Sequence, residues 1–409
     1  MKQVHPYKTV FWIVLDGLGI GAAPDAELFG DSGSHTLLHL IEAFEKAKGR
    51  PIQLPALDGM GLGKLIGRSI AGTEDSQQRG VSFRAHEVSK GKDTTSGHWE
   101  MAGVAAEKAF PTFPEGFPEA LVKRWTQENN LPGVLGNCVA SGTTILEQLG
   151  EEHIRTGKPI LYTSADSVWQ VAAHETHFGL DRLYSICESA RRLCDEIPLG
   201  RVIARPFVGE SSSTFKRTYN RKDYSLPPPH RTVLDVLKDR GTSVLGVGKI
   251  SNIYADQGIS DTIHTEGNAD GIERLTRLVS DSSTQGLVLC NLVDFDMLYG
   301  HRRDPIGYAE ALEAFDIALK TWRTHLSEDT LLVLTADHGN DPTAHGTDHT
   351  REDVPVLFDS KRFQDLTLLP DADSFGDLGQ TVLEALTCSQ DFKETEHWHG
   401  RSRLMEFPQ

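Results

Sequence analysis

Thiols are scarce in this chain, and none is arranged for a shared task. Cys138, Cys187, Cys194, Cys290 and Cys388 are odd in number, widely spaced and free of any CxxC pair. Such a set excludes a disulfide framework and a thiolate zinc site, so any metal must be held by oxygen and nitrogen. Long apolar runs are missing as well. No stretch reaches the roughly 18 residues that span a bilayer, and the N-terminal MKQVHPYKTVFWIVLDG has no small-residue cleavage site after its short apolar stretch. The chain reads as cytoplasmic, with no membrane partner. Positive charge is in deficit: 41 Lys plus Arg face 58 Asp plus Glu, a formal net charge of −17. That field repels phosphate backbones unless basic residues are gathered locally, which disfavours nucleic-acid partners. Internal repeats and low-complexity segments are absent too. What remains is ordinary usage for a folded protein, 38% hydrophobic with 38 Gly and 19 Pro. Its 409 residues suffice for two or three domains at about 150 residues each.

Four apolar, β-branched runs of strand length stand between turn or polar residues: Thr9 to Leu15, Ser243 to Val247, Leu287 to Val293 and Leu331 to Thr335. Helical patterns separate the later ones: RTVLDVLKDRG, DGIERLTRLVSD and YAEALEAFDIALKTWRTHL. The last follows Asp304 as candidate N-cap and Pro305 at the first helical position. This alternation predicts a mostly parallel sheet with helices on both faces, whose ligands bind beyond the carboxyl ends of the strands. Residues 105–226 read differently, opening with Pro-rich FPTFPEGFPEA, carrying two or three helices and closing in SLPPPHRTV. The expected organisation is an α/β core from residues 1–104 and 227–409, with a smaller domain inserted at 105–226.

Three of the strand-like runs end in aspartate: FWIVLD at Asp16, LVLCNLVDFD at Asp294 and Asp296, and LLVLTAD at Asp337. One such Asp is ordinarily a turn or N-cap residue. Several at the ligand edge of one parallel sheet repel one another unless a cation neutralises them. Histidines accompany them, His301 after Asp296, His338 beside Asp337, and His349 in ADHGNDPTAHGTDH. Carboxylate with imidazole suits Mn²⁺, Fe or Zn²⁺, and so many ligands exceed the needs of one ion, which favours a two-metal cluster of the kind that clamps phosphoryl oxygens. His345, Asp341 and Asp348 share the same loop and are interchangeable with these ligands at this level. The turn GKDTTSGHWE, followed by helix-compatible WEMAGVAAEKA, offers three hydroxyls at a helix N-terminus, where an attached phosphate is favoured. A Thr hydroxyl there becomes a nucleophile only beside a divalent cation that lowers its pKa.

Two motifs mislead. DGLGIG after a strand imitates a dinucleotide fingerprint, but its spacing is GxGxG and the preceding Asp opposes pyrophosphate. EHWHG, with His397 and His399, looks like a metal tract, yet it follows the last expected helix and reads as surface tail. An anionic substrate of so acidic a chain needs a local basic funnel, for which Arg201, Arg205, Lys249, Arg302 and Arg303 are candidates.

Taken in order, VLDGLGIGAAPDAELFGD, GKDTTSGHWE, YTSADSVWQVAAHE, GRVIARPFVGE, GKISNIY, NLVDFDMLYGHRRDP and ADHGNDPTAHGTDHTREDVPVL resemble the phosphopentomutases of the alkaline phosphatase superfamily, the prokaryotic type that uses two Mn²⁺ ions. The match spans nearly the whole chain. One departure is visible, Ser96 where the family pattern has a second Thr. The resemblance implies an alkaline-phosphatase-like core whose mostly parallel sheet is sandwiched by helices, with an inserted smaller α/β cap. It implies that Thr94 is the phosphorylated nucleophile and that Asp16, Asp337 and His338 hold one metal beside it. Asp296, His301 and His349 would hold the other. It further implies that Asp166, Arg201, Ile203 and Lys249 contact the substrate. The reaction implied interconverts α-D-ribose 1-phosphate and D-ribose 5-phosphate, and the 2-deoxyribose esters, through a pentose 1,5-bisphosphate. A sugar bisphosphate, glucose 1,6-bisphosphate or pentose 1,5-bisphosphate, would prime it. A metal-dependent phosphatase or a phosphoglycerate mutase of the same superfamily is the alternative.

Overall fold

The computed structural model describes residues 6–70, 77–164, 167–388 and 397–408. The chain divides into two compact units, one of residues 1–109 and 228–409 and the other of residues 110–227. The sequence pattern alone places the insert at 105–226. Strands in chain order are β1 (Thr9–Leu15), β2 (Gly80–Ala85), β3 (Leu135–Val139), β4 (Ile160–Thr163), β5 (Val168–His174), β6 (Arg201–Val208), β7 (Lys216–Arg217), β8 (Lys222–Ser225), β9 (Val244–Val247), β10 (Asp261–Ile263), β11 (Gly286–Leu292), β12 (Thr330–Thr335), β13 (Val354–Asp359) and β14 (Leu366–Leu368).

The first unit is built on an eight-stranded sheet in the order β10-β9-β11-β1-β12-β13-β2-β14. Its first five strands are mutually parallel, and β13 alone runs against its neighbours β12 and β2. Every residue of β1 and β11 is buried, as continuous apolar sequence requires when a parallel strand has both faces covered. The expected helices form at Val233–Asp239, Asn268–Ser280 and Pro305–His325. In the last, Asp304 accepts a hydrogen bond from the Gly307 N–H at 2.8 Å and Pro305 opens the first turn. Its apolar stripe, Tyr308, Leu312, Phe315, Leu319 and Trp322, is buried at helical spacing.

Strands β2, β13 and β14 escape a reading by apolar runs. GVSFRA mixes polar residues into its length, and VPVLFD carries Pro355, which argues against a strand interior although β13 is central. The helix after the hydroxyl turn is also shorter than WEMAGVAAEKA suggests, ending at Met101. Ala106 pairs instead with the segment before the turn, accepting from the Lys90 N–H and donating to Ser89 Oγ.

The second unit is itself α/β. Its strands run in the order β3-β4-β5-β6-β7, with β8 also against β6. The helix Leu180–Cys194 packs its apolar side with Trp169, Val171, Val202 and Ala204 in one core. The helix Gly142–Thr156 contributes Ile145 and Leu146 to a second, with Tyr162, Ala172 and Phe207.

β1 is the centre of the large sheet, and Trp12 on it is fully buried opposite Leu289 of β11 and Val333 of β12. Trp12→Ala should cost about 3–5 kcal/mol of stability through the cavity it leaves. Denaturant unfolding monitored by circular dichroism measures this.

Candidate metal and phosphoryl-transfer site

Register brings the strand tips together. Leu15 lies opposite Leu292, and Val14 opposite Thr335, so the chain leaves β1, β11 and β12 side by side at Asp16, Asp294–Asp296 and Asp337. Two triads of candidate ligand atoms result, Asp16 with Asp337 and His338, and Asp296 with His338 and His349, the atoms of each within 4.8 Å of one another. His338 Nε2 stands 3.4 Å from both Asp16 Oδ1 and Asp337 Oδ2. His349 Nε2 lies 3.4 Å from Asp296 Oδ1, while His301 Nε2 approaches the other oxygen, Oδ2, at 3.2 Å. The first triad and Asp296 and His349 are buried.

The hydroxyl turn meets this cluster. Asp93 caps the helix Thr94–Met101, accepting from the Thr95 and Ser96 N–H groups and from Ser96 Oγ. Ser96 is thereby spent on the cap, and Thr95 is buried. Thr94 is half-buried, with Oγ1 3.3 Å from His338 Nε2. Gly97 makes this approach possible, because a Cβ there would fall 1.9 Å from the Asp337 carbonyl oxygen.

Hydrogen bonds separate residues that spacing alone leaves interchangeable. The Asp294 side chain accepts from the Asn268 N–H at 2.6 Å, and the Asp294 N–H donates in return to Asn268 Oδ1 at 2.9 Å, so it fastens a loop. Asp341 is taken up by the His35 N–H, His39 and Thr343. His345 and Asp348 are exposed. Arg303, a candidate for the basic funnel, instead donates to the carbonyls of Gly300, Asp341, Gly346 and Asp348 and to Asn340 Oδ1. The glycines of DGLGIG serve packing: a Cβ at Gly19 would fall 2.2 Å from Oε2 of buried Glu352. His399 bonds through its backbone to Gly103 and Gln380, and His397 stacks on His230.

Residues that sequence reasoning missed hold the candidate ligands in place. Asn340 Nδ2 donates to Asp296 Oδ1 at 2.6 Å, and Gly17 N–H to Asp337 Oδ1 at 3.1 Å. His301 Nδ1 pairs with the Thr347 carbonyl and His338 Nδ1 with that of Gly339, which turns each Nε2 toward the carboxylates. Buried Tyr308 donates to the Asp16 carbonyl, and His98 sits 3.2 Å from Asp337 Oδ2. Asn340 stands inside the ADHGND motif itself, yet its partner Asp296 is remote in sequence.

Electrostatics show what the cluster requires. Burial, then the charges of Asp337 and Asp296, push the Asp16 carboxyl well above its ordinary range. Burial opposes charge on His338, but Asp337, Asp16 and Asp296 override it and raise the imidazole to about 9. Burial would raise Asp337, yet His338 and His98 hold it at about 2. Asp16 Oδ1, Asp337 Oδ2 and His349 Nε2 are buried without a hydrogen-bond partner among the described residues. Orphaned carboxylate oxygens and an imidazole nitrogen aimed at a common centre fit oxygen- and nitrogen-seeking divalent ions.

A family model described as the metalloenzyme superfamily matches residues 8–390. A phosphopentomutase of Pseudoalteromonas translucida is 49% identical over 385 residues, 91% of this chain and 93% of that protein. A phosphopentomutase of Chromohalobacter salexigens is 52% identical over 381 residues, covering 90% and 91%. The chain belongs to the phosphopentomutase family. It is an isomerase of the phosphotransferase kind, and it is metal-dependent. Among solved structures, Leishmania mexicana phosphoglycerate mutase is 13% identical with a TM-score of 0.48 over 98% of each chain. In the described residues no helix is long and apolar enough to cross a membrane.

Of the substrate contacts that phosphopentomutase resemblance implies, Arg201 and buried Ile203 lie on β6, with Arg201 4.0 Å from Asp223. Lys249 follows β9, close enough for its charge to favour ionised Asp16. Asp166 lies outside the described residues.

Two substitutions test the geometry. Gly97→Ala should displace Thr94 and reduce mutase turnover by about a hundredfold while the protein stays folded, measured by steady-state kinetics beside a thermal melt. Asn340→Ala should free Asp296 and weaken divalent-ion binding by about 10–100-fold, measured by calorimetric metal titration.

Proposed function

We propose that this phosphopentomutase interconverts α-D-ribose 1-phosphate and D-ribose 5-phosphate, and the 2-deoxyribose esters, in the cytoplasm, with Thr94 carrying the phosphoryl group in transit. The single observation that carries the reading is the approach of Thr94 Oγ1 to His338 Nε2, the side chain common to both ligand triads. Asp16, Asp337 and His338, with Thr94, would hold one divalent ion; Asp296, His301 and His349 would hold the second. Bound there, two Mn²⁺ ions would lower the Thr94 pKa and neutralise charge on the transferring group.

The chain's own residues do the rest. Asp93 fixes the turn, so that Thr94 Oγ1 meets phosphorus with its neighbours' hydroxyls withdrawn into the cap and the core. Phosphorylated Thr94, charged by a sugar bisphosphate, gives its phosphoryl group to the free hydroxyl of an incoming pentose phosphate. The P–Oγ1 bond breaks as the new P–O bond to sugar forms. The resulting 1,5-bisphosphate returns its other phosphoryl group to Oγ1, and the isomeric monophosphate leaves. The positive end of the helix Thr94–Met101 favours phosphate on its first residue. Arg201, Ile203, Asp166 and Lys249 are assigned to recognition of the pentose phosphate.

A coupled assay of ribose 5-phosphate formation from ribose 1-phosphate, with Mn²⁺ and a bisphosphate primer, should show turnover. Chelation should abolish it and added Mn²⁺ restore it. Thr94→Ala should reduce it by about a thousandfold or more, and intact-mass analysis should find one phosphate, on the peptide containing Thr94, in the parent protein only. Release of free phosphate without isomerisation would overturn the reading in favour of a phosphatase.

A further inference from the structure

The helix Thr94–Met101 also carries His98, a fully buried side chain whose neighbours fix where its hydrogen lies. Nδ1 stands 2.8 Å from the Thr94 carbonyl oxygen and 3.2 Å from Asp337 Oδ2. A carbonyl and an ionised carboxylate can only accept, so Nδ1 bears the hydrogen. Across the ring, Asn291 Nδ2 stands 3.2 Å from Nε2. An amide nitrogen can only donate, so Nε2 presents its lone pair. The imidazole is thereby held neutral, in one tautomer and one orientation.

These contacts join parts of the chain that are remote in sequence. Asn291 is buried in β11, where it interrupts an apolar strand opposite Val14 of β1. Its Oδ1 has no partner among the described residues, so the bond to His98 is what offsets the burial of this amide. Asp337 follows β12, and its Oδ2 makes no hydrogen bond among the described residues. The Nδ1–H thus points to the Thr94 carbonyl, and the carboxylate oxygen beside it keeps its lone pairs for a cation. Tyr254 closes the remaining side, its hydroxyl donating to the His98 carbonyl and its ring meeting the imidazole edge-on at 6.4 Å. A ring so enclosed cannot turn without breaking its bonds, and it carries the placement of β11 and β12 into the first turn of the helix.

We propose that His98 is a positioning residue for phosphoryl transfer, its Nδ1–H setting the place of Thr94 relative to Asp337. The inference rests on the reading of Thr94 as the phosphoryl carrier. His98 acts through Thr94 and Asp337, and what the arrangement requires of it is a donor at the Nδ1 position. Asparagine can supply that donor from the same place. Glutamine cannot, because its amide extends to the Nε2 position, toward Asn291.

The test compares these two variants with the parent. His98→Asn should keep kcat within about tenfold of the parent, and His98→Gln should lower it by about a hundredfold with KM for ribose 1-phosphate within about threefold. Calorimetric titration with Mn²⁺ gives a readout apart from turnover: His98→Gln should weaken the ion by about tenfold or more, and His98→Asn should hold the parent's affinity. Parent-like kcat and Mn²⁺ affinity in folded His98→Gln, or equal losses in the two variants, overturn the proposal. Should neither variant fold, Asn291→Ala, which frees Nε2 and lets the ring turn, is read in their place. It should lower kcat by about tenfold at unchanged KM, and parent-like kcat overturns the proposal there too. A parent enzyme that carries no phosphate on Thr94 overturns the carrier reading and this one with it. An active, phosphorylated parent beside unaffected variants overturns the role of His98 alone.

Discussion

Mutual repulsion among three carboxylates governs this protein. Asp16, Asp296 and Asp337 stand beyond the tips of β1, β11 and β12, neighbours in the sheet, all buried, where their charges act at short range and low dielectric. Hydrogen bonds satisfy them only in part, since one oxygen each of Asp16 and Asp337 has no partner among the described residues. The arrangement persists because the central parallel strands are wholly apolar and set their register by burial on both faces, carrying the carboxylates along. Stability of the sheet thus maintains a charge arrangement that divalent ions relieve. Folding and metal binding are linked in the same side chains.

Around this strain the chain builds a stiff frame. Arg303 fastens the loop from Gly300 to Asp348 by its backbone carbonyls and holds Asn340 Oδ1, leaving Asn340 Nδ2 for Asp296. Glu352, raised to about 7 chiefly by burial, accepts from Gly21, Thr36 and Thr350, which ties the turn after β1 to the ligand loop. Glu100 does the same beneath the hydroxyl turn, accepting from Val88, Ser89, Ser374 and Phe375. Each support replaces a soft loop with a fixed atom position, which phosphoryl transfer needs because in-line geometry tolerates little displacement.

The strand tips and the hydroxyl turn were legible because apolar parallel strands and an Asp-capped helix announce themselves locally. The candidate ligands were not separable by spacing from their neighbours. Asp294 and Asp296 differ only in that Asn268 claims the first. Thr94 and Ser96 differ in that Asp93 claims the second. His345 and His349 differ in exposure, which depends on how the Arg303 strap folds their loop. Each distinction lies in a partner brought close by tertiary structure, and no periodicity encodes it. The strands β2 and β13 were hidden for a related reason, since antiparallel pairing at one side of the sheet tolerates the polar residues and the proline that apolar-run reading rejects.

Charge distribution decides how this chain can handle phosphate. In a chain of net charge −17, a dianion approaches only where positive charge is concentrated. At the strand tips the local residues are themselves anionic, so the positive charge must come from divalent ions, which also activate an oxygen nucleophile. A cation that can activate an oxygen nucleophile is held by carboxylate and imidazole, and those are the side chains that the sheet gathers at Asp16, Asp296, Asp337, His338 and His349.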